Sequence, residues 1–558
     1  MKLIMNSYSK ILLNIFISII VIIINSGCGN KNKNNGYKKI KGKDFVKIDY
    51  SKYVEKPSNS EINIAFTEFP HTLNPYRAGI KSEFFLKKAL FSSLFYLDPE
   101  TGLPEKNLIE RFNISNNGLE YYFTLRDNIK FNNGINLNTE DVIYSLELLK
   151  TVLKDSDFYK DFFILNQELI IEFISYNKFK ISLDVPNGNL LYALSNFPII
   201  PKGAAEIISD DIETFINYWE IKSDMNIIGS GPYIVDEITD EKITLTYNKY
   251  YFKKDKKEND LPYTKTINIK FYNNKNNEIL GFLNNDTDIV SINLDDYNML
   301  NKYFKKNNIL KIRFIDTGFS KNRVLVAYNC FRENSKSYLK NNEFRKYLSF
   351  FIKKALDNKE ADLGNYSVDK DFFKDSNHDG ILEYKDGNTI FIRILAMEEE
   401  KEIINIVKKI KDVFEKLNFE VYLEIVPLHL FLEKMFINFD YDIGIFYYNF
   451  DPGIISYYQL LDKDVLSFYP YVYDNNISSE RIIKKMKDCI YTFSNKNQIE
   501  EIKKLQNILS EINQLFPIYI QNKYYLSKST IYNLKINSSF EEGYNLRTIE
   551  TLVNSSLP

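Results

Sequence analysis

Cysteine, histidine and tryptophan are scarce in this chain: three, three and one among 558 residues. Three cysteines exclude a disulfide-stapled scaffold and a multi-cysteine zinc module. The three histidines, His71, His378 and His429, are too scattered to make a visible metal cluster. No charge of one sign dominates, since 72 Lys and Arg stand against 74 Asp and Glu for a net charge of −2. That balance argues against a nucleic-acid binder, which normally carries a clustered basic excess. There is no internal repeat. No G-x-S-x-G, H-E-x-x-H or P-loop occurs, so no enzyme motif competes and no catalytic residue or cofactor is assigned. What is present is ordinary globular material, 44% hydrophobic and 26% charged, in a length that suits three to four units of roughly 150 residues each. Phe and Tyr, 42 and 41 in number, are unusually abundant. Like Asn, Lys and Ile they have AT-rich codons, which accounts for the bias without an aromatic-lined surface.

The N-terminus reads as an export signal. Lys2 and Lys10 precede an almost wholly apolar run from Ile11 to Ile24, followed by Asn25, Ser26, Gly27 and Cys28. A positive start, a short apolar run and small residues before a cut site mark a secretory signal. The run is shorter than the ~20 residues a membrane-spanning helix needs. Ser26-Gly27-Cys28 resembles a bacterial lipobox, in which the cysteine becomes the lipid-modified first residue. Asn25 departs from that pattern, and an uncleaved anchor is the alternative. The expectation is a signal peptide over 1–27 and, over 28–60, a flexible tether rich in Asn, Lys and Gly.

Folded sequence starts near Glu61. INIAF at 62–66, the alternating stretch 119–125, ITLTY at 243–247 and TINIKF at 266–271 predict strands. Asn132-Asn133-Gly134 predicts a turn, and Thr139 an N-cap followed by acids in the first helical turn. Ile403, Val407, Ile410, Phe414 and Leu417 form one helical stripe ended by Asn418. With 389–395 before it and Val421, Leu423 and Ile425 after it, this segment predicts a β-α-β unit. Ile502, Leu505, Leu509 and Ile512 mark a last helix. Strands and helices intermix throughout, so the class is α/β or α+β.

Six segments carry a resemblance: Thr72-Leu73-Asn74-Pro75; the block from Leu90 to Leu146, with its LDPETG turn, LRDNIKF and TEDV; Ile228-Gly229-Ser230-Gly231-Pro232-Tyr233; Glu343-Phe344-Arg345-Lys346-Tyr347-Leu348; Tyr447-Tyr448-Asn449-Phe450-Asp451-Pro452; and Phe516-Pro517-Ile518-Tyr519. Together, in this order, they resemble the extracellular solute-binding proteins of peptide-type ABC importers, family 5. The resemblance implies an α/β, two-lobed periplasmic-binding-protein fold of the large peptide-binder class (type II), with an inserted third subdomain. It divides the chain into lobe I (61–96, 226–315 and 521–558), the insert (97–225) and lobe II (316–520). It implies a peptide or small-solute ligand, permease subunits as partners, no enzyme activity, and a place on the outer side of the cytoplasmic membrane, periplasmic where there are two membranes. We expect a monomer that binds no nucleic acid.

The resemblance also suggests the ligand contacts: Glu68, Tyr447, Tyr448, Asn449, Asp451 and Tyr519. In oligopeptide binders the loop before the proline carries an aspartate that pairs with the peptide's α-amino group; here that position is Tyr448, so the carboxylate is missing. Inward packing of Tyr447 and Phe450, with Asp451 capping a turn, is the plain reading, as a solvated loop acid is for Glu68. A nickel- or haem-type binder on the same fold, and a surface lipoprotein or adhesin with a non-functional cleft, remain alternatives. Trp219 reads as packing near a domain junction, and Cys330 and Cys489 as buried thiols. Finally, Asp375, Asn377, Asp379 and Asp386 fit the spacing of a calcium loop around Gly380, with an ordinary turn as the alternative.

Overall fold

The structure, a computed structural model, describes residues 61–551 apart from 99–102, 152, 154–161, 163–167, 203–226, 256, 307–311, 331–334, 357–372, 399–400, 450–483, 486, 490, 493–499, 506, 508–514, 529–530, 533–535, 538–542 and 545–549. Cys28 with its signal and tether, Trp219 and Asp451-Pro452 lie outside the described residues, as does most of the last expected helix, of which 500–505 are helical.

The described strands, in chain order, are β1 (Glu61–Phe66), a short hairpin of β2 (Phe95–Leu97) and β3 (Pro104–Lys106), β4 (Ile109–Ile114), β5 (Glu120–Leu125), β6 (Leu169–Ser175), β7 (Lys178–Leu183), β8 (Tyr233–Ile238), β9 (Lys242–Tyr247), β10 (Thr266–Phe271), β11 (Ile289–Ile292), β12 (Ile312–Tyr328), a two-residue hairpin of β13 (Phe373–Lys374) and β14 (Glu383–Tyr384), β15 (Phe391–Met397), β16 (Glu420–Val426), β17 (Ile443–Asn449) and β18 (Leu515–Lys528), followed by four two-residue strands, Ile531–Tyr532, Ile536–Asn537, Gly543–Tyr544 and Glu550–Thr551. Ten of them form one mixed sheet in the order β16-β15-β17-β12-β18-β11-β1-β10-β9-β8, and β4-β5-β7-β6 form a second, four-stranded sheet.

Local pattern explains most of these elements. In β1, Ile62 and Ile64 are buried and alternate with half-buried Asn63, as a strand with one core face requires. Its partner is the parallel β10, in register from Glu61 opposite Thr266 to Phe66 opposite Phe271. The expected β-α-β unit is present. Helix Lys401–Lys416 buries Ile403, Val407, Ile410 and Phe414 completely, four side chains worth together about 6–12 kcal/mol of transfer free energy before entropy is counted. Asn418, at φ 62°, turns the chain out of the helix in the left-handed region. β15 and β16 then pair in parallel, Phe391 opposite Glu420 through Met397 opposite Val426.

One expected cap moves by a residue. Helix Thr139–Glu147 is capped by extended Asn138, whose side chain accepts from the Glu140 N–H at 2.7 Å, while Asp141 accepts from the Asn138 N–H at 2.8 Å. Thr139 is instead the first helical residue and is fully buried. Burial pushes the Asp141 carboxyl up, against the pull of backbone N–H groups of Asn138 and Lys202.

Two large hydrophobic cores and one smaller core are distinct. The first joins β1, β8–β10, helix Lys81–Leu90 and the four-stranded sheet. The second joins β15–β17 with helices Asn342–Leu356 and Lys401–Lys416, and contains the buried Cys330. The third lies under helices Lys275–Leu283 and Leu294–Lys306 beside β11 and β18. β12 is shared: Ile315 packs on the first core, Ile312 and Phe314 on the third, and Val324, Val326 and Tyr328 belong to the second. Beside the second core, Arg393 pairs with Asp440 at 2.6 Å, and Lys434 bridges Glu424 and Asp440 at 2.8 and 2.7 Å.

Candidate functional site

The loop leaving β1 carries Glu68 and the Thr72-Leu73-Asn74-Pro75 motif. Leu73, Asn74 and Tyr76 are buried. The Asn74 side chain accepts from the Tyr76 N–H at 2.9 Å, and the Tyr76 hydroxyl donates to the Pro198 carbonyl at 2.9 Å. Both ends of the loop converge on one buried carboxylate in the first turn of helix Lys81–Leu90. Glu83 Oε1 accepts from the N–H groups of His71 (2.9 Å) and Thr72 (3.3 Å), and Oε2 from those of Gly79 (2.8 Å) and Ile80 (3.3 Å). The motif is thus a locked turn. Glu68 is exposed at its start, and among the described residues no hydrogen bond or ion pair engages its carboxylate.

The Gly-Ser-Gly-Pro-Tyr segment crosses the C-terminal end of the same helix. The Gly231 N–H donates to the Leu90 carbonyl at 2.9 Å, and the Ser92 hydroxyl to the Ser230 carbonyl at 2.8 Å. A Cβ on Gly231 would lie 2.4 Å from the Ala89 carbonyl oxygen, and one on Gly229 2.1 Å from that of Leu90. Glycine is needed at both because backbone meets backbone.

Four of the six expected contact residues lie on the two strands flanking β12. Tyr447 on β17 and Tyr519 on β18 are both opposite Val324; Tyr448 is opposite Arg323 and Asn449 opposite Asn322. Tyr447 is half-buried against the second core, and its hydroxyl donates to the Glu402 carboxylate at 2.8 Å. This inward hold is the plain reading of that side chain, and Glu402, its acceptor, escaped the sequence reading. Its signal is a carboxylate at the first turn of the clearest helical stripe. Tyr448 is half-buried. Glu68 belongs to the separate β1 loop, and Asp451 lies outside the described residues.

Of the calcium-loop residues, Asp375 and Asp379 come together with Glu383, which the spacing argument did not include. Asp386 turns away: it accepts from the Ser337 hydroxyl and from the Asn388 N–H. Burial raises its carboxyl, but those hydrogen bonds outweigh it and leave the group below the ordinary carboxylate range. Burial raises the thiols of Cys330 and Cys489 to about 12, as inert packed cysteines require.

Residues 104–379 match the family model of the bacterial extracellular solute-binding proteins, family 5 Middle. Solved structures agree over nearly the full length. The oligopeptide-binding protein AppA from Bacillus subtilis, in complex with a nonapeptide, matches with a TM-score of 0.60 at 18% identity, over 89% of this chain and 100% of its own. The ABC transporter substrate-binding protein CtaP from Listeria monocytogenes gives 0.67 at 19%, over 89% and 100%. NikA from Brucella suis, in complex with Fe(III)-EDTA, gives 0.68 at 16%, over 87% and 100%. No curated protein matches the chain by sequence. With its mixed α/β, two-lobed binding-protein fold, the chain belongs to the family 5 extracellular solute-binding proteins of ABC transporters. The family implies binding of a peptide or small solute, interaction with an ABC permease, and an extracytoplasmic place. Its members bind substrates and are not enzymes. Among the described residues no helix is long and apolar enough to cross a membrane.

Proposed function

We propose that this chain is the lipid-anchored capture subunit of an ABC importer, taking peptides between two lobes and delivering them to the membrane permease. The observation that carries this reading is the pair β12 and β18, long antiparallel strands of which β12 runs between separate cores. A two-lobed binder closes by rotation about such shared segments, and ligand contacts made in the closed state shift the population toward it. The division into lobe I (61–96, 226–315, 521–558), insert (97–225) and lobe II (316–520) is supported by the irregular pairing of β12 with β18, whose register shifts between Asp316 and Phe319, between Phe319 and Arg323, and between Val324 and Leu325. Such irregularities bend and re-aim a strand. Glu68, Tyr447, Tyr448, Asn449, Asp451 and Tyr519 are the proposed ligand contacts, and Cys28 the lipidated residue that holds the protein at the outer side of the membrane.

Tyr448 favours a second reading. It occupies the position where the peptide-binder resemblance places an aspartate. A buried ammonium without a counter-charge is strongly disfavoured, so either Glu68 or Asp451 receives the peptide amine, or the ligand has no free amine. The complex of NikA with Fe(III)-EDTA is an example of the latter class on this fold.

The experiment is ligand binding by calorimetry with one peptide pool, free or acetylated at its N-termini, on the wild type, Glu68→Gln and Asp451→Asn. The importer reading expects saturable binding of the pool. Weakening by acetylation and by one substitution supports an amine held by that acid. Binding that ignores acetylation assigns the site to amine-free ligands. No binding of either pool, together with no ligand in native mass spectra of the purified protein, refutes the capture reading in favour of a surface lipoprotein with a non-functional cleft.

A further inference from the structure

The hairpin of β13 and β14 is closed by the loop Asp375-Ser376-Asn377-His378-Asp379-Gly380-Ile381-Leu382, and none of its features is explained by solute capture. Carboxylate oxygens of Asp375, Asp379 and Glu383 all lie within 4.8 Å of one another. Three negative charges gathered in one place repel; Asp375 and Asp379 are exposed, where water screens them, so the clustering by itself assigns no ion. Among the described residues no Lys or Arg pairs with any of the three.

The second observation is independent of the clustering. Glu383 is 5% exposed, the most deeply buried acid of the group. Its Oε2 accepts from the Ser376 N–H at 2.6 Å, but its Oε1 is buried and has no hydrogen-bond partner among the described residues. A buried carboxylate oxygen with no donor is costly, and native folds satisfy such atoms with protein, water or an ion. Here the oxygen belongs to a carboxylate that converges with two others.

We propose that Asp375, Asn377, Asp379 and Glu383 form a binding site for a hard divalent cation, calcium. The four residues stand at positions one, three, five and nine of the oxygen-ligand loop, with Gly380 at position six for the sharp turn. Gly380 has φ +87° and open space where a Cβ would stand. The loop's internal hydrogen bonds leave the carboxylates turned inward: Asp375 accepts from the N–H groups of Asp379 and Gly380 at 3.1 and 3.2 Å, and Asp379 from that of Ile381 at 2.8 Å. Asn377 Oδ1 accepts from the Asp379 N–H at 3.0 Å and its amide donates to the Asp379 carboxylate at 3.0 Å. Each acceptor oxygen keeps a second lone pair for a cation. Asp386, at position twelve, is engaged with Ser337 and Asn388, and Glu383 takes over as the buried anionic ligand.

Oxygen-only donors select a hard ion, and an irregular set of three carboxylates and an amide suits the flexible coordination of calcium better than the strict octahedron of magnesium. The cation fastens the loop to the second core. Phe373 and Tyr384, which flank the loop, pack on Phe344 with ring centroids 5.5 and 5.9 Å apart, and the Leu382 N–H donates to the Asn418 carbonyl at 2.9 Å. The site is therefore a structural clamp.

The test uses the full mature chain, stripped with a chelator and dialysed, with calcium chloride and magnesium chloride as probes in calorimetry and thermal unfolding. The expected result is saturable calcium binding with Kd on the order of 10⁻⁵–10⁻³ M and a melting temperature that rises with calcium. Glu383→Gln is expected to weaken binding at least about tenfold, since it removes a charged ligand. Asp379→Asn, a change on an exposed residue that leaves the packing alone, decides the matter should Glu383→Gln fail to fold. Absence of saturable heat and of any thermal shift up to about 10 mM calcium, well above the weakest loops of this kind, overturns the proposal. So does calcium binding that both variants leave unchanged. Equal binding of magnesium overturns the choice of calcium.

Discussion

Glu83 is the perturbation with the clearest local consequence. Its carboxylate receives four backbone N–H groups, two from each end of the loop 71–80. The contacts from His71 and Gly79, at 2.9 and 2.8 Å, are full hydrogen bonds; those from Thr72 and Ile80, both 3.3 Å, are weak. Hydrogen bonds to a charged group contribute about 1.5–3 kcal/mol each. His71 and Gly79 are exposed residues whose N–H groups can turn to water, so the low end applies. The carboxylate also sits where a helix N-terminus favours negative charge, worth about 0.3–1 kcal/mol. Glu83→Ala is therefore expected to cost the loop about 3–4 kcal/mol of local stability. Glu83→Gln is expected to fall between, because an amide offers one oxygen and turns its NH₂ toward donors. Global unfolding of a multi-core chain is not a two-state measurement, so the assay is hydrogen exchange by mass spectrometry on peptides covering 67–80. About 3–4 kcal/mol corresponds to exchange faster by roughly 150- to 1,000-fold. Exchange within about threefold of the wild type, with Glu83→Ala folded, refutes the claim that this carboxylate holds the loop bearing Glu68.

Gly231→Ala drives a Cβ to 2.4 Å from the Ala89 carbonyl oxygen, and is expected to destabilise the contact locally by about 1–3 kcal/mol, seen as faster hydrogen exchange in peptides covering 89–92 and 228–233; unchanged exchange there contradicts the close approach. Asp440 is held below the ordinary carboxylate range, first by the Lys434 hydrogen bond and then by Arg393. Its contribution is present above the unfolded pKa of about 3.9 and is lost as pH falls through that value toward the folded one. Asp442, raised by burial, has the opposite sign. Asp440→Asn should thus lower the melting temperature at neutral pH and flatten its acid decline, and parallel curves for both proteins would count against the pairing. Cys28→Ala should release the protein from membranes or leave it unprocessed, and fractionation identical to the wild type would rule out the lipid anchor.

The sequence by itself determined the elements whose logic is local. The 3.6-residue stripe of Ile403, Val407, Ile410 and Phe414, its end at Asn418, and the alternation in β1, β5, β9 and β10 needed no tertiary information, because each records which face meets a core. The resemblance carried by six ordered segments pointed to the family, while composition and the absence of catalytic motifs only excluded other classes. The tertiary structure alone decided the rest. Nothing local in Glu61–Phe66 says that its partner is Thr266–Phe271; that pairing follows from which apolar faces close one core. β12 has strand-like runs at its two ends, but nothing short-range makes its 17 residues one strand, since it serves different cores at those ends. Glu83 and Glu383 look in sequence like solvated acids. They are buried because the loops just before them, 71–80 for Glu83 and 375–382 for Glu383, fold back over them, a turn of the chain that no periodicity records, and burial turns an ordinary carboxylate into one that needs donors or a cation.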